Sequence, residues 1–235
     1  MLDAGQILGM QMHAASPQDA ARQVVAWTKA RERRMVCVLN SHMILKAQDS
    51  EGYKQIMSKA DLVLPESPSL AWILRRLGFS KQRRVTNTDL MSSVLAAARE
   101  AGLPVGFYGG TPEGIKALVA KMNQRFPGLQ IVYAYSPSSR PQCEGSRARE
   151  LAEIHFSNLR ILFVGLTSPK QERWMAENRG KVEAVMVGVA TAFELLAGAP
   201  QKAPNWIQKL DLAWLFQPFR TARVLWRHYL TKTQD

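Results

Sequence analysis

Val105-Gly106-Phe107-Tyr108-Gly109-Gly110-Thr111-Pro112-Glu113 is the stretch on which the fold turns. An apolar, β-prone run meets two glycines, and a helix start follows at once. Thr111 suits an N-cap and Pro112 the first helical position. The helix is expected to reach about Arg125. The same order of strand, turn and helix returns at Val164-Gly165-Leu166-Thr167-Ser168-Pro169-Lys170-Gln171-Glu172. Outward from these two, short apolar runs at Met35–Leu39, Leu62–Leu64, Leu129–Tyr133, Arg160–Val164 and Ala184–Val187 read as strands. Helix starts fall at Ser16-Pro17, running to about Arg31, and at Thr88-Asp89, opening Leu90–Glu100 with Gly102 to close it. Another falls at Ser168-Pro169, ending near Arg179-Gly180. Strands alternating with helices predict an α/β fold, a mostly parallel sheet covered by helices on both faces. Such sheets take ligands in the loops that follow the strand C-termini.

The chain has 235 residues, enough for one α/β domain with or without a small appendage. Hydrophobic residues make up 46% and charged ones 21%, so a core can be buried and global disorder is excluded. The net charge of +12 calls for an anionic partner: nucleic acid, anionic lipid or a phosphorylated substrate. Two cysteines, Cys37 in an apolar run and Cys143 in a polar one, supply neither a disulfide framework nor metal-ligand spacing. A reducing cytoplasm is the simpler expectation. The N-terminus lacks a signal-peptide pattern, and no apolar run approaches the roughly 18–20 residues that span a bilayer. Membrane contact is therefore expected to be peripheral. Ser136–Ser146 reads as a loop. Residues 1–200 read as one α/β domain, and 201–235 as a basic, aromatic helical appendage with a break at Pro218.

Several strand ends carry chemistry. Gly109 and Gly110 would let a ligand approach the backbone beside free N–H groups at a helix start, or they make a tight turn. Glu113 disfavours a phosphate there and would suit a ribose diol. Ser168 and Gln171 have capping-box spacing. Lys170 opposes the helix dipole in the first turn, a cost of a few tenths to about 1 kcal/mol that an anionic ligand would remove. An ion pair with Glu172 is the plainer alternative. Asn40 can recognise sugar hydroxyls through both ends of its amide, or cap a turn, and His42 lies close by. Glu66 stands in a constrained Pro-Glu-Ser-Pro loop, as a general base or as a solvated carboxylate. On a helix, Arg220, Arg223 and Arg227 fall within roughly 60° of one another. Beside Trp226 and Tyr229 they suit a membrane interface or a substrate diphosphate, or form a solvated basic face. No nucleic-acid-binding motif is seen.

Taken in order, these segments resemble the WecG/TagA/CpsF family of bacterial glycosyltransferases from about Ile7 to Leu230. The most specific pieces are Ala60-Asp61-Leu62-Val63-Leu64-Pro65, Arg84-Val85-Thr86 with Thr88-Asp89-Leu90, Gly109-Gly110, and Val164-Gly165-Leu166 followed by Pro169-Lys170-Gln171-Glu172. Ala197-Gly198 leading to Ala203-Pro204, and the tail through Leu212-Ala213-Trp214-Leu215, complete the set. The resemblance implies a Rossmann-like sheet and a C-terminal appendage that docks on the membrane. It implies inverting transfer from a UDP-sugar to an undecaprenyl-diphosphate-linked saccharide, without metal or other cofactor, at the inner face of the plasma membrane. Wall teichoic acid, common antigen, capsule and exopolysaccharide are the pathways implied.

By the same resemblance Glu66 stands where the family has its aspartate base, Asn40 follows the first core strand, and Arg84 lies near sugar and phosphate. Tyr108, Gly109, Gly110, Gly165, Lys170, Gln171 and Glu194 are the expected nucleotide-sugar contacts. Arg220, Arg223 and Arg227 are the expected contacts to the acceptor diphosphate and membrane. The chain departs from the family at Glu66 and Glu194, where aspartate is usual, at Ser67 and Asn87, where glycine is usual, and at Val38, where threonine is usual. A carboxylate one methylene longer is displaced by about 1 Å, enough to cost about 10²-fold in rate if nothing compensates. Two further readings follow. One is a non-catalytic nucleotide-sugar-binding member of an assembly complex, and the other a basic nucleic-acid-binding protein. Self-association is left open.

Overall fold

A computed structural model of the chain describes residues 2–138 and 144–198. Cys143, the appendage 201–235 and its arginines Arg220, Arg223 and Arg227 lie outside the described residues. The described residues form an α/β fold around a six-stranded sheet in which every neighbouring pair is parallel.

In chain order the elements are β1 (Ala4–Ile7), β2 (Met10–His13), α1 (Pro17–Lys29), β3 (Met35–Leu39), α2 (Ser41–Asp49), α3 (Glu51–Met57), β4 (Leu62–Pro65), α4 (Pro68–Arg76) and α5 (Asn87–Glu100). They continue with β5 (Val105–Gly109), α6 (Pro112–Arg125), β6 (Ile131–Tyr135), α7 (Glu144–Phe156), β7 (Ile161–Gly165), α8 (Lys170–Asn178), β8 (Val185–Gly188) and α9 (Ala192–Ala197). The order across the main sheet is β4-β3-β8-β7-β5-β6. All six strand C-termini therefore point to one edge, and the loops after β3, β4, β5, β7 and β8 line it side by side.

The alternation of side chains across the sheet explains the two helix layers. Val36, Val38, Leu62, Leu64, Val105, Phe107, Ile161, Phe163, Val185 and Val187 share one core cluster with residues of α1, α5, α6 and α9. Cys37, Leu39, Tyr108, Leu162, Val164 and Met186 alternate with them and are equally buried. Helices α3 and α8 pack together on that second face, with α8 against β3, β7 and β8. Cys37 is thus the small buried hydrophobe its apolar run suggests. Burial on both faces is why these strands read as unbroken apolar runs.

Several boundaries differ from the sequence reading. The helix expected at Thr88 starts earlier, because Thr86 is the N-cap and accepts from the Asp89 amide at 3.1 Å. Strand β6 lies two residues later than Leu129–Tyr133. Helix α7 begins at Glu144, inside the segment read as a loop. The capping box expected from Ser168 and Gln171 does not form: α8 has Pro169 at its N-cap, and Gln171 bonds elsewhere. The hairpin β1–β2 had no sequence signal. It turns through Leu8 and Gly9, both at positive φ, and its last residue His13 accepts from the Val63 amide at 3.1 Å. That bond occupies the otherwise open edge of β4. Burial pushes the His13 imidazole down from its ordinary value, which favours the neutral acceptor form.

Candidate active site

The site begins where β3 and β4 end. Asn40 is the N-cap of α2, and its Oδ1 accepts from the Met43 amide at 3.0 Å. The cap fixes the direction of the amide and leaves its N–H₂ to bond Glu66. Glu66 follows β4, with its own amide bonded to the Leu39 carbonyl at 2.8 Å. The two loops are laced further by Ser41, whose amide donates to Ser67 Oγ at 3.0 Å and whose hydroxyl lies 2.8 Å from Ser69 Oγ.

Glu66 is half-buried, and its Oε1 accepts from Asn87 Nδ2 at 2.7 Å. Asn87 is the first residue of α5 and is only 8% exposed. Burial pushes the Glu66 carboxyl above the ordinary carboxylate range. The amides of Asn40 and Asn87 and the charge of Arg84 pull the other way without cancelling it. A carboxylate raised by burial and addressed by neutral donors is a stronger base than a solvated one. Asn40, Glu66 and Arg84 therefore converge as the sequence led one to expect. His42 is exposed nearby. Asn87 was not expected as a contact. Its signal was its departure from the family glycine, read there only as a loss.

Next along the edge lies β8. Gln171, 2% exposed, accepts through Oε1 from the Ala190 amide at 2.7 Å and donates through Nε2 to Glu172 Oε1 at 3.2 Å. Ala190 has φ 41°, a left-handed conformation that costs a non-glycine residue energy. Gln171 thus holds a strained loop at the end of β8. Gly188 leaves room for that amide, since a Cβ there would lie 2.7 Å from Gln171 Nε2. Glu172 is fully buried, and its Oε2 has no hydrogen bond of normal geometry. Burial pushes its carboxyl up, opposed by its own amide, Ser168, Gln171 and the charge of Lys46. Lys170, at the first position of α8, is exposed.

The third group closes the row at β7 and β5. Gly110 donates to the Gly165 carbonyl at 3.1 Å, and a Cβ on Gly109 would lie 2.3 Å from that same oxygen. A Cβ on Gly165 would lie 2.4 Å from the Phe193 ring. These glycines are required by contacts within the chain. Phe193 also meets Phe107 edge-on at 5.7 Å, which seats the first turn of α9 and leaves Glu194 exposed. Tyr108 faces away from the row. It is 1% exposed, donates to Glu150 at 2.8 Å and stacks on Trp174 at 4.3 Å. In the described structure its ring supports the wall of the fold, where a nucleotide contact was expected.

The sequence matches the model of the glycosyl transferase WecG/TagA/CpsF family over residues 5–234. It is 26% identical over 198 residues to an N-acetylglucosaminyldiphosphoundecaprenol N-acetyl-β-D-mannosaminyltransferase of Bacillus spizizenii, covering 83% of this chain and 74% of that protein. It is 24% identical over 196 residues to the Bacillus subtilis protein of the same description, covering 81% and 75%. With a family match over nearly its whole length, and with the loops of its parallel sheet carrying the expected residues in order, the chain belongs to the WecG/TagA/CpsF family of glycosyltransferases.

Proposed function

We propose that this glycosyltransferase moves a sugar from a UDP-sugar to a saccharide on an undecaprenyl diphosphate, with inversion and with Glu66 as the base. The names of the two Bacillus relatives make N-acetylmannosamine the first donor sugar to test and undecaprenyl-diphosphate-linked N-acetylglucosamine the first acceptor. The observation that carries the reading is the placement of Glu66: half-buried at a strand C-terminus, raised by burial, and aimed by two amides.

In the reaction an acceptor hydroxyl attacks the anomeric carbon as the bond to UDP breaks. Glu66 takes the hydroxyl proton, and UDP leaves with the bonding electrons. Negative charge grows on the departing diphosphate, so cations at the same edge lower the barrier. Arg84 beside Glu66 and Lys170 at the start of α8 have that role, in a metal-independent reaction. The loop held by Gln171, together with Gly109, Gly110 and Gly165, shapes the floor on which the nucleotide lies, and Glu194 borders it. Residues 201–235 bring Arg220, Arg223 and Arg227 to the acceptor diphosphate at the inner face of the plasma membrane. No helix among the described residues is long and apolar enough to cross a membrane, consistent with peripheral attachment.

The test is UDP release from UDP-N-acetylmannosamine with a short-chain polyprenyl-diphosphate N-acetylglucosamine, with and without EDTA. Acceptor-dependent release unaffected by EDTA is expected. Loss of release with EDTA would overturn the metal-independent step. Absence of transfer across a panel of UDP-sugars and lipid-diphosphate acceptors would overturn the reading as a whole.

A further inference from the structure

Between Glu66 and the second turn of α5 lies a surface that the chemistry above uses only at Arg84. From Ser67 to Thr88 the chain contains no acidic residue, while Arg75, Arg76, Lys81, Arg83 and Arg84 are basic. All five are exposed, and none takes part in an ion pair among the described residues. One large apolar side chain stands out among them: Trp72 is 53% exposed. Its exposure is not a failure of the helix to pack. In α4 the neighbours Leu70, Ala71, Ile73 and Leu74 are buried, so Trp72 stands with Arg75 and Arg76 on the opposite stripe. Arg76 lies one turn from Trp72, with its guanidinium 5.5 Å from the ring centre.

The patch is also held in shape. Arg75 donates to the Gln82 carbonyl at 2.9 Å. Gln82, 6% exposed, donates to the carbonyls of Ala15 at 3.1 Å and Arg83 at 2.7 Å. The loop from Gly78 to Arg84 is thereby stapled to α4 through Arg75 and to the body of the domain through Gln82.

We infer that this patch docks the catalytic domain on an anionic lipid bilayer, with Trp72 entering the interfacial layer, Arg75 and Arg76 on its stripe facing the headgroups, and Lys81 and Arg83 adding to the attraction. An amphipathic aromatic ring flanked by arginines matches the apolar-to-charged gradient of that layer. The chain's own last segment is the wrong occupant by charge, since residues 201–235 hold six basic and two acidic side chains. A symmetric second copy would set the five cations against their equivalents. Nucleic acid would satisfy the cations, but the adjoining Glu66 loop is the proposed place of a lipid-linked acceptor, which a bilayer presents and a nucleic acid does not. Glu66 precedes the patch and Asn87 lies near its end, so docking would bring the base to the surface that holds a lipid-linked acceptor. In that respect the inference rests on the proposed acceptor. Vesicle binding needs no substrate, so the two fail separately.

The experiment measures full-length protein in co-sedimentation with phosphatidylglycerol–phosphatidylcholine vesicles and with phosphatidylcholine vesicles alone. The variants are Arg75→Glu with Arg76→Glu, Trp72→Ser, and a control pair on α6, Lys116→Glu with Arg125→Glu, of equal charge change to the arginine pair. Thermal melts establish that each is folded. The parent is expected to bind only the anionic vesicles. The arginine pair should weaken binding at least about 25-fold, about 5-fold for each cation lost before the added negative charge is counted. Trp72→Ser should weaken it about 10-fold, in keeping with loss of buried apolar area, and the control pair by less than about 2-fold. Parental binding by both patch variants would overturn the inference, as would an equal loss in the control. So would intact vesicle binding accompanied by a loss of dimer mass or of binding to a single-stranded RNA oligonucleotide, which would assign the patch to a second copy or to nucleic acid.

Discussion

Asp61 and Glu66 flank the same four-residue strand, β4, and they are held in opposite ways. Asp61 precedes the strand with its side chain 9% exposed. Its Oδ1 accepts from Arg34 at 2.8 Å and Arg179 at 2.7 Å, and its Oδ2 from the Met35 amide at 2.8 Å. Those partners tie β3, β4 and the end of α8 together at the N-terminal edge of the sheet. Glu66 follows the strand with neutral amides as its hydrogen-bond partners, while Arg84 acts on it through space. One carboxylate is clamped by permanent charges, and the other is addressed by neutral donors and raised by burial. The difference separates the edge that fastens the fold from the edge to which the chemistry is assigned above.

The sharpest way to break that comparison is to remove each carboxylate's charge. Glu66→Gln should lower acceptor-dependent UDP release by about 10²–10⁴-fold, the span of general-base catalysis, with the melting temperature within a few degrees of the parent. Turnover within tenfold of the parent would erase the distinction. Asp61→Asn should do the reverse. Weakening charge-assisted bonds to two arginines should cost about 2–3 kcal/mol in denaturant unfolding, while turnover per folded molecule stays near the parent's. A stable but inactive Asp61→Asn would show that the N-terminal edge reaches into the chemistry.

Asn87 sharpens the comparison from the other side. Its amide lowers the Glu66 pKa against the larger effect of burial. In Asn87→Ala that opposition is gone, so the Glu66 pKa rises further. A base works only when ionised, so the acid limb of the rate profile should move to higher pH, with kcat/KM down about tenfold near neutrality. An unshifted limb would mean that Asn87 does not address the reacting carboxylate. The same pair bears on the family departures. Where the resemblance implies aspartate and glycine, this chain has Glu66 and Asn87, bonded at 2.7 Å. The added methylene and the added amide meet each other, which offers the compensation that a longer base requires.

What the sequence revealed and what it hid divide along the same physical line. Runs such as Met35–Leu39 were legible because a parallel strand buried on both faces must be apolar throughout. Ser16 and Thr111 were legible because capping is local, set by residues three apart. The hairpin β1–β2 was hidden because four-residue strands owe their pairing to β4 and the turn at Leu8-Gly9 rather than to their own pattern. At the site, Asn40 and Glu66 were legible by position after strands, and Arg84 only through the family resemblance. The Gln171 bond to Ala190 was hidden because it spans 19 residues and competes with a local capping reading that looked sufficient. The place of Tyr108 was hidden for a related reason: the sequence shows that a strand ends there, but not that its ring packs on Trp174 and its hydroxyl bonds Glu150.

Glu172 supplies the subtlest test, because it sits at the chemical edge yet is buried as deeply as any residue of the fold. Its pKa in the folded chain lies above the unfolded value, so the native state holds the proton more tightly. Stability contributed by the protonated form is then present at low pH, and it is lost as pH rises from the unfolded value through the folded one. Glutamine cannot ionise, and its amide can still accept from Gln171. Glu172→Gln should therefore match the parent in acid and exceed it by about 1 kcal/mol near neutrality, the size of relieving one badly paired buried polar atom. A stability difference that stays flat from acid to neutral pH would mean that Glu172 does not titrate against the fold. Glu172→Ala separates the second role of this side chain. With nothing to fix the Gln171 amide, the strained turn at Ala190 loses its hold, and turnover should fall even where the glutamine variant keeps it.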